Sequence, residues 1–272
     1  MSSGWGPWED AAQAAWYEAL CAEHTLYAEV GAALVARLGL AADSRVADVG
    51  AGTGVSAQAA LAALGRLGRV VGVDPAARMV AAARRLVTDP RAAFEAGDAT
   101  ALAGHALAPF DAITASSVIW LCADLDATLA AMRAALRPGG RLGLSIPAEY
   151  LGQSDHLLGP VATRVQAALA ACRAERPPAA APMPAPNPLG SVEALGSRLR
   201  RAGFSSVATT LFCRQSPGAE QRAWLGQPVV LGGLLGTDDP AAHRRARELL
   251  AAHIPDDLSV AQRWVILTAD AA

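Results

Sequence analysis

Three acids and three glycines carry most of the chemistry that can be read from this chain. Asp48, Gly50, Gly52 and Gly54 fall together in Val46-Ala47-Asp48-Val49-Gly50-Ala51-Gly52-Thr53-Gly54, where a short apolar run ends in an acid and a glycine turn. Such a turn, between a strand and a helix N-terminus, lets a ligand lie against backbone with no Cβ in the way. The third position of the dinucleotide pattern G-x-G-x-x-G falls on Val55, and a phosphate-binding P-loop is excluded because the chain contains no lysine. Asp48 would also bring negative charge near any phosphate. The turn therefore suits a ligand that lacks phosphates and carries positive charge. Asp74 ends the next apolar run and offers the two acceptor oxygens that a ribose cis-diol needs. Asp98, in Ala96-Gly97-Asp98-Ala99, can accept from an exocyclic amine. Ribose, an amine-bearing base and a cationic group together describe S-adenosylmethionine.

The elements that must hold these residues follow a strand–helix rhythm. Strands are expected at Arg45–Val49, Arg69–Val73, Ala92–Glu95, Phe110–Thr114 and Arg141–Ile146, with helices at Thr53–Leu64, Ala76–Leu86 and Asp124–Leu136. Strands alternating with helices of about ten residues imply βαβ units and a parallel sheet. Before them, Trp16, Leu20, Tyr27, Val30, Leu34 and Leu38 recur at helical spacing, preceded by Trp5 and Trp8. After Pro147 a helix is expected from Asp155 to about Arg173. Pro177, Pro178, Pro182, Pro184, Pro186 and Pro188 then make an extended connector. Helices at Ser191–Ala202, Ala219–Leu235 and Pro240–His253 and strands at Phe204–Phe212 and Trp264–Thr268 complete the pattern.

Composition narrows the class. The 272 residues are 53% apolar and 18% charged, with a net charge of −2, so the chain can bury a full core and has no basic excess for a nucleic-acid partner. No apolar run reaches a membrane span, and the N-terminus lacks a signal-peptide pattern, so a cytoplasmic enzyme is expected. Cys21, Cys122, Cys172 and Cys213 show no metal-binding spacing, and no metal is expected. Without lysine, Schiff-base and pyridoxal-phosphate chemistry are ruled out.

Five motifs in register extend the reading. Asp48-Val49-Gly50-Ala51-Gly52-Thr53-Gly54, then Val73-Asp74-Pro75 with Met79, then Gly97-Asp98-Ala99, Phe110-Asp111-Ala112-Ile113 and Leu136-Arg137-Pro138-Gly139-Gly140-Arg141-Leu142 follow in order. In these residues the chain resembles the class I S-adenosylmethionine-dependent methyltransferases, of the small-molecule type similar to the ubiquinone and menaquinone enzymes. The resemblance implies an α/β fold, a Rossmann-like, mostly parallel seven-stranded sheet with its last strand antiparallel. It implies cofactor contacts from Asp48, Gly50, Ala51, Gly52, Gly54, Asp74, Pro75, Met79, Gly97, Asp98, Ala99 and Ser116. It divides the chain into an N-terminal helical flap (1–40), a cofactor-binding core (41–150), a helix with a proline-rich lid (151–190), and the end of the sheet (191–272) with a helical cap insert at about 214–259.

Methyl transfer from a sulfonium is an in-line displacement, driven mostly by alignment and exclusion of water, so a base is needed only where the acceptor must lose a proton. His24, His156 and Tyr150 are the candidates for that role, with Glu149 and His105 behind them. Tyr17, Tyr27, Trp120 and Tyr150 are the candidate acceptor contacts. Together with an apolar cap they suit a mid-sized apolar small molecule, methylated on O, N or C, with secondary metabolism as the expected setting and a monomer or homodimer as the expected state. Two other readings share the site: an enzyme that uses the cofactor without methylating, such as a cyclase, and a non-catalytic cofactor-binding subunit.

Overall fold

A computed structural model describes residues 6–153, 161–175 and 189–272. A 3-10 turn at Gly6–Glu9 leads into α1 (Ala11–Glu23) and α2 (Leu26–Val35). Asp10 starts α1 by accepting from the Ala12 and Gln13 N–H groups. The alternating section follows: β1 (Arg45–Val49), α3 (Val55–Ala63), β2 (Arg69–Asp74), α4 (Ala77–Leu86), β3 (Ala92–Ala96), β4 (Phe110–Ser116), α5 (Leu125–Ala135) and β5 (Leu136–Pro147). Then come α6 (Ala162–Glu175), α7 (Val192–Arg201), β6 (Phe204–Pro217), α8 (Gly218–Leu225), α9 (Pro228–Leu235), α10 (Pro240–His253) and β7 (Ser259–Ala271).

The seven strands form one sheet in the order β3-β2-β1-β4-β5-β7-β6. β1 to β5 pair in parallel, and β7 runs antiparallel to both β5 and β6. This is the Rossmann-like, mostly parallel sheet expected above. Strand order reverses between β1 and β4, and the crevice outside the carboxyl ends at such a point is where open α/β sheets bind ligands.

Two apolar layers cover the sheet. Val46, Leu61, Val70, Val80 and Phe94 pack under α3 and α4 on one face. Ile113, Leu129, Met132, Leu144, Leu199 and Val265 fill the other, under α5 and α7. Alanine is abundant on the first face, where Ala57, Ala60 and Ala83 are fully buried, and these short side chains let α3 and α4 lie close to the strands. A separate apolar cluster of Val165, Leu169, Leu231, Leu250 and Ile254 joins α6, α9 and α10 into the cap.

Two expectations change in the cap. Ala219–Leu235 is two helices, because Pro228 opens α9 and cannot continue a helix begun before it. At the break, Gly226 lies against the Trp16 ring, 2.7 Å from where a Cβ would stand. The sheet also runs further into the insert than expected, with β6 reaching Pro217 and β7 starting at Ser259. The inward residues there are Arg214 and Ser216 rather than apolar ones, so the strand signal is missing from the sequence. Trp5, the first part of the helix expected from Asp155, and the proline segment lie outside the described residues. Among the described residues, no helix is long and apolar enough to cross a membrane.

Candidate functional site

β1 turns into α3 through the glycine loop, which is tied to β2 by the Gly50 and Ala51 N–H groups donating to the Val73 carbonyl at 2.8 and 3.1 Å. Gly50 takes φ +67°, and a Cβ there would sit 2.3 Å from the Val118 side chain. Gly54, at φ +87°, is closed in by Val87 and Phe94. Packing, rather than ligand approach, is what demands glycine at that position. Gly52 faces outward, beneath the Tyr17 ring.

Asp74 sits at the end of β2, 5% exposed. Its Oδ2 accepts from the Gly52 N–H at 2.8 Å and its Oδ1 from the Ala76 N–H at 2.9 Å. Each oxygen keeps a lone pair for a further donor. Burial holds this carboxyl above its ordinary range although both backbone bonds pull it down.

Asp48 behaves differently. It is fully buried, Ser56 Oγ donates to its Oδ2 at 2.6 Å and Thr114 Oγ1 to its Oδ1 at 2.7 Å. Burial pushes it up to about 6 against those hydrogen bonds. Its carboxyl therefore ties α3 and β4 to β1 and gives a ligand no contact, contrary to the expectation from its place beside the turn. Met79 is also corrected: at 2% exposure it is part of the packing under α4. Ser116 donates to or accepts from Ser145 at 2.9 Å. Its neighbour Ser117 holds φ +60° and a buried Oγ with no hydrogen-bond partner. That strained hydroxyl has no partner among the described residues, and no sequence signal separates two adjacent serines.

A cleft of about 260 Å³ opens beside the loop, lined by Val49, Gly50, Pro75, Asp98, Ala99 and Cys122 among others. Asp98 Oδ1 accepts from the Thr100 N–H at 2.8 Å and starts the 3-10 turn Ala99–Gly104, so the residue caps a turn and also faces the cleft. The Gly97 N–H donates to the Asp74 carbonyl at 3.0 Å, joining the ends of β2 and β3.

On the other side of the loop the four expected acceptor residues come together. Tyr17 of α1 contacts Tyr27 of α2 with ring centroids 5.3 Å apart, and Trp8 meets Tyr17 edge-on at the same distance. Trp120 and Tyr150 stack at 4.7 Å and 11°. Tyr27 and Trp120 both pack against the buried cluster of Leu26, Val30 and Trp264, which joins the two pairs into one arc from Gly52 to the end of β5. Burial raises the Tyr17 and Tyr27 hydroxyls well above their usual range and pushes Tyr150 up to about 12, so all three stay protonated as donors. Cys21, on the same face of α1 as Tyr17, is pushed up to about 11 mainly by burial and is a thiol.

The histidines contribute less. His24 closes α1 as its C-cap, with no hydrogen bond to its imidazole among the described residues. His105 is held between Glu95 and the Leu107 N–H. His243 and His253 bond backbone carbonyls within the cap. His156 lies outside the described residues.

Sequence reasoning missed what ties the arc to the cap. Trp16 Nε1 donates to the Ala223 carbonyl at 2.7 Å, and the Arg247 guanidinium lies 4.2 Å from the centre of its ring. Gln13 bonds Gln227 and the Val229 N–H. Arg214 and Glu220 form a buried pair, with Glu29 joining at 3.1 Å, and Glu220 also accepts from the Leu26 N–H.

Comparison with known proteins agrees with this geometry. Residues 46–140 match the family model described as a methyltransferase domain. The chain carries a class I S-adenosylmethionine-dependent methyltransferase domain. It is 35% identical over 168 residues to nocamycin O-methyltransferase of Saccharothrix syringae, covering 59% of each chain. It is 37% identical over 153 residues to trans-aconitate 2-methyltransferase of Azoarcus sp. (strain BH72), covering 54% of this chain and 57% of that protein. The chain thus spans less than two thirds of the length of these relatives. Among solved structures, the YcgJ protein of Bacillus subtilis is similar at TM-score 0.56 and 16% identity, with 89% of this chain and 97% of that one covered. The [4+2]-cyclase SpnF is similar at 0.54 and 20%, covering 89% and 80%. Phosphoethanolamine N-methyltransferase 2 of Haemonchus contortus, in complex with S-adenosylhomocysteine, is similar at 0.52 and 19%, covering 88% and 52%.

The cofactor of the methyltransferase domain is S-adenosylmethionine, and the residues present fit it. Asp74 has free lone pairs for two hydroxyls, Gly52 lies half-buried beneath Tyr17, and Ser117 Oγ lacks a partner among the described residues. Pro75, Asp98 and Ala99 offer an apolar wall with one acceptor for a base.

Proposed function

We propose that the chain transfers the methyl group of S-adenosylmethionine to an O, N or C atom of a mid-sized, largely apolar small molecule, in secondary metabolism. The observation that carries this reading is the aromatic arc of Tyr17, Tyr27, Tyr150 and Trp120, which begins over Gly52 and ends at the carboxyl edge of β5. Pockets for small apolar ligands have this character, apolar and aromatic walls with a few placed polar groups.

In this reading Asp74 holds the ribose, Pro75, Asp98 and Ala99 the adenine, and Gly50, Ala51, Gly52 and Ser117 the methionine part. The bound cofactor supplies an electrophilic methyl group. The chain's own contribution is alignment and dryness: Tyr17 of α1 covers the loop with Trp8 of the preceding 3-10 turn behind it, and the phenol hydroxyls donate to the acceptor. His24, His156 and Tyr150 remain the proposed proton-handling residues, joined by Glu149. The likeness to a nocamycin O-methyltransferase supports an acceptor of natural-product type, and the quinone-enzyme subclass rests on motif resemblance.

The test is to incubate the purified chain with methyl-labelled S-adenosylmethionine and a panel of small-molecule extracts. Labelled product together with S-adenosylhomocysteine supports methyl transfer. Methylthioadenosine formed without any acceptor contradicts it and favours cyclisation of the cofactor.

A further inference from the structure

One ionisable side chain at the far end of the aromatic arc is used by nothing in the fold. Glu149 follows β5 in the 3-10 turn Ala148–Leu151, half-buried, and its carboxylate bonds no other residue among the described residues. A carboxylate drawn from water without a partner is costly to keep. The turn that carries it is rigid: Ala148 and Leu151 are buried on either side, and the next residue, Tyr150, is stacked on Trp120. The charged and titratable neighbours of Glu149 are Arg263 of β7, which favours its anion, and Tyr150 of the same turn.

Resting on the methyl-transfer reading above, we propose that Glu149 is the general base that takes the proton from a hydroxyl acceptor held against Tyr150 and Trp120. As the acceptor oxygen bonds to the methyl carbon, the carbon–sulfur bond breaks and its electron pair stays on sulfur. The hydroxyl proton passes to Glu149, which releases it to water after the product leaves. A hydroxyl is the acceptor that gains most from such a group, because its proton becomes acidic only as the new bond forms. A carboxylate acceptor has no proton to lose and would meet the charge of Glu149. The environment supports the assignment: burial outweighs Arg263 and pushes Glu149 up to about 7, whereas Tyr150 goes up to about 12. Burial raises both groups, so near neutral pH the carboxyl can exchange a proton while the phenol stays a hydrogen-bond donor.

The test compares the full chain with Glu149→Gln on two probes, 4-nitrophenol, which is mostly ionised over the upper half of the neutral pH range, and phenol, which is not ionised anywhere in it. Each is offered with methyl-labelled S-adenosylmethionine across the neutral pH range. Tryptophan fluorescence of the S-adenosylhomocysteine complexes is titrated in parallel, since Trp120 is stacked on the residue next to Glu149. The expected result is that Glu149→Gln loses about tenfold or more on phenol together with the rise in rate through about pH 7, keeps most of its rate on 4-nitrophenol, and lacks the fluorescence transition. An unchanged phenol profile, an equal loss on both phenols, or a wild-type protein that binds S-adenosylhomocysteine but labels neither phenol overturns the proposal. A wild-type protein that does not bind S-adenosylhomocysteine contradicts the cofactor reading beneath it instead.

Discussion

The two sides of the sheet's carboxyl edge are built in different ways. On the β1–β3 side, every residue proposed to face the cofactor lies within a few positions of a strand end: Gly50 and Gly52 after β1, Asp74 and Pro75 at the end of β2, Asp98 and Ala99 after β3. Backbone bonds within that side fix it, as when the Gly50 and Ala51 N–H groups donate to the Val73 carbonyl. On the β4–β5 side, the surface is assembled from α1, α2, two 3-10 turns and a cap with its own core. Long-range side-chain bonds hold that assembly, through Arg214–Glu29, Gln13–Gln227 and Trp16–Ala223. A site fixed by local backbone geometry can be read and transferred between proteins, whereas one fixed by distant side chains belongs to the individual chain.

The contrast can be broken most severely at Glu220. Replacing it with alanine leaves Arg214, whose side chain is 4% exposed, without its buried partner. Denaturant unfolding should show a loss of about 3–5 kcal/mol, while S-adenosylhomocysteine affinity, measured by calorimetry where the protein remains folded, stays near wild type. Equal damage to both would show that the two sides are one unit.

Asp74→Ala is the converse perturbation. S-adenosylhomocysteine affinity should fall by about 2–3 kcal/mol, on the order of a hundredfold, with the cap intact by circular dichroism. Asp98→Ala, whose Oδ1 is already occupied by Thr100, should weaken binding only a few-fold, under about 1 kcal/mol.

A further effect sharpens the difference between two acids that sequence treats alike. Asp48 is raised from 3.8 to about 6 by burial, so the folded protein binds its proton more tightly than the unfolded chain does. Its contribution is greatest below the ordinary carboxylate value, falls as pH rises through about 4 to 6, and is flat above that. Asp48→Asn should flatten this slope by about 3 kcal/mol between acid and neutral pH, read from denaturant midpoints, and leave cofactor affinity unchanged.

Much of the fold was legible because apolar strands and alanine-rich helices alternate at regular lengths, with Asp10, Asp124, Ser191 and Asp239 capping α1, α5, α7 and α10. The glycine loop was legible for the same local reason. What sequence could not separate was occupancy. Asp48 and Asp74 both lie near the carboxyl ends of adjacent strands, yet Ser56 and Thr114 close one of them. Ser116 and Ser117 are alike in sequence but differ in backbone angle and in hydrogen bonding, Ser116 being bonded to Ser145. The outer ends of β6 and β7 escaped because Arg214 and Ser216 fill inward positions where a strand usually shows apolar residues. Tyr17, Tyr27, Trp120 and Tyr150 could be chosen by type and by nearness to strand ends, but their contacts depend on how α1 and α2 cross the sheet.

A crystal structure of the complex with S-adenosylhomocysteine tests the central claim most directly. The account predicts the ribose hydroxyls on Asp74, the adenine between Pro75 and Ala99 with its amine at Asp98, and the sulfur turned toward Tyr17, Tyr27, Tyr150 and Trp120. A ribose bound away from Asp74, or a sulfur facing α4 with the aromatic arc behind it, would contradict it.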